Sequence, residues 1–354
     1  MGGDYRTMWV LGAAGLQVRG GLRGVYALRD GPLERRPAWA VWAQGSNGEG
    51  GIMTTLMAPR VEPGRVLAET DRGKKAAMMQ YLAQKFRVDV FDILHDKGTG
   101  HWGGASSVAE ILTVLYFDAM NVRPEEPRWP DRDRLVLSKG HASAMLYTVL
   151  ANRGFFPTEE LHTFRQINSR LQGHPCMNET PGVDMSTGAL GHGMSVSLGM
   201  ALAARLQKRS CWSYVIMGEG CLDEGQTWEG MMAAAKFRPE RLVALIDYNG
   251  YQLDGPSNEI MPLAPLFEKF QAFSWNVSPT VWNGHQVSDI LRSLHWVQQQ
   301  KEWPVAIIYQ TKKGRGISFT EDTHKFHGAV IDDQSYAKGR PELLQTLAEL
   351  EAAL

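Results

Sequence analysis

Short apolar runs, polar glycine-bearing turns and longer helical stretches alternate along most of the chain. Tyr214-Val215-Ile216-Met217 is β-rich, apolar and stops at glycine, so it reads as a buried strand. The turn Gly218-Glu219-Gly220 follows, then a helical pattern from about Asp223 to Lys236, then a second apolar strand from Leu242 to Ile246, closed by Asp247-Tyr248-Asn249-Gly250. A strand–helix–strand unit of this kind predicts two parallel strands joined by a right-handed crossover. Arg134–Leu137 and Val305–Tyr309 read as further strands. Ala76, Met79, Tyr81, Leu82, Phe86 and Val90 recur at roughly helical spacing, which predicts one amphipathic helix over 69–96. A glycine-rich loop carrying His101 precedes a helix expected from about Ser107 to Met120, with Ser106 or Ser107 as its N-cap. Small residues carry a helix to Leu206, and a charged amphipathic helix from about Tyr336 to Leu354 ends the chain. The pattern as a whole predicts an α/β fold, a three-layer α/β/α arrangement around a mostly parallel sheet.

Both polar turns of the central unit fall at the carboxyl end of the predicted sheet, where open α/β folds bind ligands. Asn249 follows Gly220 after 28 intervening residues, which brings a carboxylate and a carboxamide oxygen to neighbouring strand ends. Two hard oxygen donors suit Mg²⁺ held against a diphosphate. Gly218 and Gly220 allow close backbone approach to an anion, and the next helix offers its N-terminus. The same window also reads as an ordinary βαβ unit with tight turns. Five histidines, His101, His141, His174, His192 and His327, sit in loops after strands or before helices. None shows the close spacing with a carboxylate that zinc sites use. Isolated neutral imidazoles lining a pocket suit proton transfer and hydrogen bonds to hydroxyl and phosphate oxygens, which points to a polyol or sugar substrate.

Composition narrows the setting. The 354 residues suit one large domain or two modest ones, and a formal charge of −1 gives no sign of a nucleic-acid or anionic-membrane partner. No apolar run approaches a membrane span. Cys176, Cys211 and Cys221 lack paired or metal-ligand spacing, which fits a reducing cytoplasm. The first fifty or so residues are rich in Gly and Arg, and Met8 to Leu16 makes a poor signal peptide. A disordered leader, a targeting segment, or translated upstream sequence with the true start near Met53 all fit, the first and last best. The expected organisation is therefore a leader over 1–64 and a binding domain over 65–354.

Seven motifs occur in one order: TGHWGG, LSKGHAS, GHP, STGALGHG, GEGCLDEG, DYNGYQLDG and TKKGRGISF…HKFHG. From about residue 70 to 330 the chain resembles the N-terminal, diphosphate-binding half of transketolase, and in particular the small subunit of a split, two-gene transketolase. The resemblance implies the thiamine diphosphate-binding fold, thiamine diphosphate with Mg²⁺ (or Ca²⁺ or Mn²⁺) as cofactors, and transfer of a two-carbon ketol unit from a ketose to an aldose. It implies metal ligation by Glu219, by Asn249 and by the backbone carbonyl of Tyr251. By the same resemblance His141, Gly218, Gly220 and His327 border the diphosphate, and Leu190 packs on the thiazolium. His101 and His174 bind sugar hydroxyls and assist proton transfer, His327 also touches substrate, and Glu224 communicates across the subunit interface.

The chain departs from the family at four places. Glu219 replaces aspartate, Tyr251 replaces an aliphatic residue, Ala189 stands where single-chain enzymes have proline, and His192 replaces their glutamine while resembling the split branch. One extra methylene at Glu219 weakens or displaces a cation that demands near-octahedral geometry. The resemblance assigns the glutamate that protonates the aminopyrimidine, and the arginines that grip sugar phosphate, to a separate pyrimidine-binding C-terminal subunit, in a symmetric two-plus-two assembly. Three functions follow: a split transketolase acting on sugars, a specialised acyloin or ketol transferase, and a non-catalytic subunit supported by Glu219. KGHAS and the GHP loop argue against a 2-oxo-acid dehydrogenase α-subunit.

Overall fold

Alternate residues of the central strands enter two different cores, as a parallel sheet covered on both faces requires. The structure, a computed structural model, describes residues 56–354. Its six strands are β1 (Arg134–Leu137), β2 (Ser213–Gly218), β3 (Leu242–Tyr248), β4 (Asn276–Val277), β5 (Trp282–Asn283) and β6 (Val305–Gln310). The order is β1-β2-β3-β6-β4, with β5 also on β6, and every pairing is parallel. Tyr214, Ile216, Val243, Leu245, Ile307 and Tyr309 face the larger core, beneath helices Arg72–Lys97 and Ser143–Arg153. Val215, Met217, Ala244, Ile246, Ala306 and Ile308 face the other, beneath helices His192–Leu206 and Gly225–Phe237. The expected three-layer α/β/α fold is what the chain forms, and the strand–helix–strand unit pairs in parallel over Ser213–Gly218 and Leu242–Asp247.

Local chemistry accounts for the boundaries. The first long helix runs Arg72–Lys97, starting where Asp71 accepts the Lys74 N–H at 2.8 Å and ending at Gly98 in the left-handed region, φ 59°. The helix expected from Ser107 to Met120 forms as Ala109–Val114 followed by a π-helical turn, Leu115–Ala119, and the glycine-rich stretch expected as a loop is itself a short helix, Trp102–Ser106. Ser106 and Ser107 are not N-caps, the position before helix Ala109–Val114 being Val108. The Ser106 hydroxyl donates back to the Gly103 carbonyl at 3.1 Å, while the Ser107 oxygen lies 3.2 Å from the Gly104 carbonyl and gives its one proton mainly to Asp247, at 2.8 Å. The helix expected from about Asp223 to Lys236 forms as Gly225–Phe237, and a short helix, Glu219–Leu222, stands where the turn after Gly218 was expected. The short strands β4 and β5 and the helix Val287–Gln298 extend the fold beyond the expected elements. Helix Pro63–Ala68 straddles the expected boundary at 64–65, and the leader residues before 56 lie outside the described residues.

One buried polar network ties the first long helix to the segment after β6. Arg87 and Glu110 form a bidentate pair, 2% and 1% exposed. The Lys312 N–H donates to His285 Nε2 at 2.8 Å, so Nδ1 carries the ring proton, 3.2 Å from Glu110. Burial pushes the Glu110 carboxyl up, but Arg87 and His285 outweigh it and bring it down to about 2. Glu110→Ala leaves a guanidinium buried without its partner. The expected loss is about 3–5 kcal/mol in urea unfolding, and a loss under about 1 kcal/mol contradicts this account.

Candidate active site

Four strand ends and one glycine-rich turn converge at the carboxyl edge of the sheet. Ser138-Lys139-Gly140-His141 leaves β1, Glu219 leaves β2, Asn249-Gly250-Tyr251 leaves β3, and Thr311-Lys312-Lys313 leaves β6. Parallel strands make this convergence automatic, because every strand delivers its C-terminal residue to the same edge. The glycine-rich turn lies against them. A Cβ on Gly104 would sit 2.9 Å from His141 Nε2 and 3.3 Å from Lys139 Nζ, and a Cβ on Gly103 would sit 3.0 Å from Lys313. Glycine there lets backbone lie directly beside an imidazole and two ammonium groups.

The oxygen donors gather in a single turn. Glu219 is 2% exposed, and its carboxylate accepts the Asn249 N–H at 3.0 Å and the Gly250 N–H at 2.9 Å. Burial and the neighbouring Asp247 charge push Glu219 up to about 7, against hydrogen bonds that pull it down. Gly250 holds φ 82°, a backbone angle that side chains disfavour, and so turns the chain sharply after Asn249. Asn249 Oδ1 accepts the Tyr251 N–H at 3.2 Å, and the Tyr251 carbonyl lies 3.5 Å from Lys313 Nζ. No cluster of three or more His, Cys, Asp or Glu suited to a metal exists among the described residues. A carboxylate, a carboxamide and a peptide carbonyl are nonetheless a hard-oxygen set, and the lone pairs left on Glu219 and Asn249 fit a divalent cation.

Four of the five loop histidines meet beside this turn. Ring centroids lie 5.4 Å apart for His101–His141, 6.3 Å for His101–His174, 5.5 Å for His101–His327 and 4.8 Å for His141–His327. His192 makes none of these ring contacts; it is exposed at the start of its helix, with Nδ1 3.3 Å from the Leu190 carbonyl. Burial depresses His101 to about 4, with help from Arg165 and His174, and depresses His327 to about 3, with help from Lys313. His141 and His174 are lowered too, burial again leading, followed by Lys139 and Arg165 respectively. At neutral pH the cluster is therefore a set of uncharged imidazoles, able both to donate and to accept. Leu190 is half-buried, with Cδ1 3.2 Å from where a Cβ on Gly220 would be. Gly218 ends β2 with no Cβ neighbour closer than 3.6 Å, at Lys139. Glu224 is exposed at the N-terminus of helix Gly225–Phe237, backed against Gly191.

Three charged residues complete the site that motif reading alone left without roles. Lys313 Nζ donates to the Gln252 carbonyl at 2.5 Å and to His327 Nδ1 at 2.7 Å, which places the His327 proton on Nε2. Burial and Lys139 bring Lys313 down to about 8. Arg165 stands in the left-handed region, φ 59°, and its charge bears on both His101 and His174. Asp247, fully buried, binds Lys139, Ser107, Thr311 and Asn249. Lys139, Lys313 and Asp247 all stand within the seven motifs. Asp247 is in addition a polar residue ending an apolar strand, which is the usable signal, since a buried carboxylate requires partners.

Comparison with known proteins adds an independent line. Residues 78–344 match the family described as transketolase, thiamine diphosphate binding domain. A 6-deoxy-6-sulfo-D-fructose transketolase subunit of a Clostridium species is 39% identical over 265 residues, covering 75% of this chain and 96% of the relative. An apulose-4-phosphate transketolase subunit from Phocaeicola vulgatus is 37% identical over 273 residues, covering 77% and 96%. The crystal structure of transketolase from Campylobacter jejuni superposes with a TM-score of 0.70 at 30% identity, over 75% of this chain and 42% of that one. The chain thus spans nearly the full length of the two subunits it resembles and less than half of the longer Campylobacter enzyme. With motif order, parallel sheet and site architecture in agreement, the chain belongs to the transketolase family, as its thiamine diphosphate-binding part.

Proposed function

We propose that this chain is the diphosphate-side subunit of a two-chain transketolase, moving a two-carbon ketol unit from a ketose to an aldose acceptor. The supporting observation is the convergence of four neutral imidazoles, one lysine and a hard-oxygen turn at one sheet edge. Glu219, Asn249 and the Tyr251 carbonyl would hold Mg²⁺ (or Ca²⁺ or Mn²⁺), and His141, Gly218, Gly220, His327 and Lys313 would border the diphosphate. Bound thiamine diphosphate supplies the nucleophilic carbon and electron sink that ketol transfer needs. The chain's own residues orient and protonate. His101 and His174 hydrogen-bond sugar hydroxyls and carry protons, while Leu190 offers an apolar contact to the cofactor ring. Glu224, exposed at the surface, suits a contact with another subunit.

The substrate class follows from charge. Arg165 makes the His101–His174 end cationic, which favours a sugar with an anionic terminus. The substrates named for the two subunit relatives carry such a terminus, as a sulfonate or a phosphate. The relatives' designation as subunits supports a separate partner; its pyrimidine-binding role and a two-plus-two assembly rest on the motif resemblance. No described helix is long and apolar enough to cross a membrane; a cytoplasmic setting rests on the cysteine pattern. The binding domain takes in the buried Val61 and helix Pro63–Ala68, so it begins before the expected boundary at residue 65.

Calorimetric titration of thiamine diphosphate with Mg²⁺ into the chain and its co-purified partner is expected to show saturable, metal-dependent binding. Glu219→Ala should weaken it at least about tenfold through the lost ligand. Absence of binding in the intact complex overturns the assignment. His101→Ala should retain cofactor binding and lower kcat/KM about 100-fold or more, as loss of a proton-transfer group does; unchanged kinetics removes His101 from the mechanism. The histidines also set an acid limb for stability. An imidazole held below its unfolded value binds fewer protons when folded, so its contribution is lost as pH falls from about 6.5 through the unfolded value toward the folded one. The melting temperature of His327→Gln should therefore fall less between pH 7 and pH 5 than that of the unaltered chain. Equal slopes contradict a depressed His327.

A further inference from the structure

Asp247 ends β3 with its side chain fully buried and bonded to four separate groups, and neither the cofactor nor the substrate reading gives it a task. Its Oδ2 accepts the Ser107 hydroxyl at 2.8 Å, the Asn249 carboxamide N–H at 3.1 Å and the Lys139 ammonium, while Oδ1 accepts the Thr311 hydroxyl. We propose that Asp247 is the positioning residue of the cation site, fixing the Asn249 carboxamide so that its oxygen, and never its nitrogen, is presented to the metal. This rests on the metal-binding reading given above and adds the device that makes Asn249 a ligand.

The orientation is fixed by chemistry on both sides of the amide. A carboxylate offers only acceptor oxygens, so the edge of Asn249 that faces Asp247 must be its NH₂. The other edge receives the Tyr251 N–H at 3.2 Å, a group that can only donate, so that edge must be oxygen. A flipped amide would lose both bonds and set oxygen against carboxylate. Asn249 Oδ1 keeps a second lone pair beyond the bond from Tyr251. That lone pair lies in the turn whose N–H groups, from Asn249 and Gly250, are already bound to Glu219.

Asp247 itself has no freedom to turn. Ser107 precedes helix Ala109–Val114, Lys139 follows β1 and Thr311 follows β6, so three segments clamp one carboxylate from different directions. Ligand orientation by an outer carboxylate is a general feature of metal sites. Here the outer carboxylate is two residues before the ligand it orients, so strand geometry sets their separation.

The test uses the full chain co-purified with its partner, thiamine diphosphate present and Mn²⁺ as probe, followed by electron paramagnetic resonance. Asp247→Asn gives Asn249 a neighbour that can donate as well as accept, and the apparent Mn²⁺ affinity is expected to fall about 10–100-fold. That substitution also leaves the Lys139 ammonium buried without a counter-charge. The double variant Asp247→Asn with Lys139→Met removes that charge and separates the two effects. It is expected to regain melting temperature relative to the single variant while Mn²⁺ affinity stays low. Affinity that returns together with melting temperature would show that Asp247 serves Lys139 alone and would overturn the proposal, as would unchanged affinity in Asp247→Asn. If the unaltered complex takes up no Mn²⁺, the metal-site reading itself fails and the proposal with it. If the unaltered complex binds and both variants bind equally, only the proposal fails.

Discussion

A carboxylate cannot stay ionised inside a protein without partners, and Asp247 is held there by four. Burial by itself would raise it; the Lys139 ammonium and the hydroxyls of Thr311 and Ser107 reverse that and hold it below its usual range. The cost of taking this charge out of water is offset only when all four partners are in place. That requirement couples the glycine-rich turn and the ends of β1, β3 and β6 into one arrangement. A shift of any of those segments leaves a buried charge without its complement.

The distribution of charge around this anchor decides what the edge of the sheet can do. Lys139, 2% exposed, is committed to Asp247, whereas Lys313 is bonded to two peptide carbonyls and an imidazole, with no carboxylate among its hydrogen-bond partners, and keeps its positive charge for an anion. The histidines stay neutral because they are desolvated and because Lys313, Lys139 and Arg165 surround them. A neutral imidazole is both donor and acceptor, which suits a polyol better than a fixed charge would. The glycines matter through what they leave out: at Gly103 and Gly104 any side chain would collide with Lys313 or His141.

Glu219 shows how one methylene is absorbed. The longer side chain reaches the opening of the next strand's turn, where it accepts the Asn249 and Gly250 N–H groups. The carboxylate thus braces the turn that carries Asn249.

Much of this protein was written in its sequence. The apolar runs determined β1, β2, β3 and β6, because strands buried on both faces must be continuously apolar. Parallel pairing then placed Glu219, Asn249, His141 and Lys313 at one edge, and the motif order identified the family. Local pattern did not determine where helices break: the hydroxyl of Ser106 turns back onto a glycine carbonyl, and that of Ser107 reaches Asp247, 140 residues away. The short strands β4 and β5 escaped because a two-residue strand has no periodicity to read. Only the tertiary structure separated His192 from the four clustered histidines, since all five share the same glycine-flanked setting. It alone gave Asp247 its partners, because hydrogen bonds between residues far apart in the chain leave no mark on local spacing.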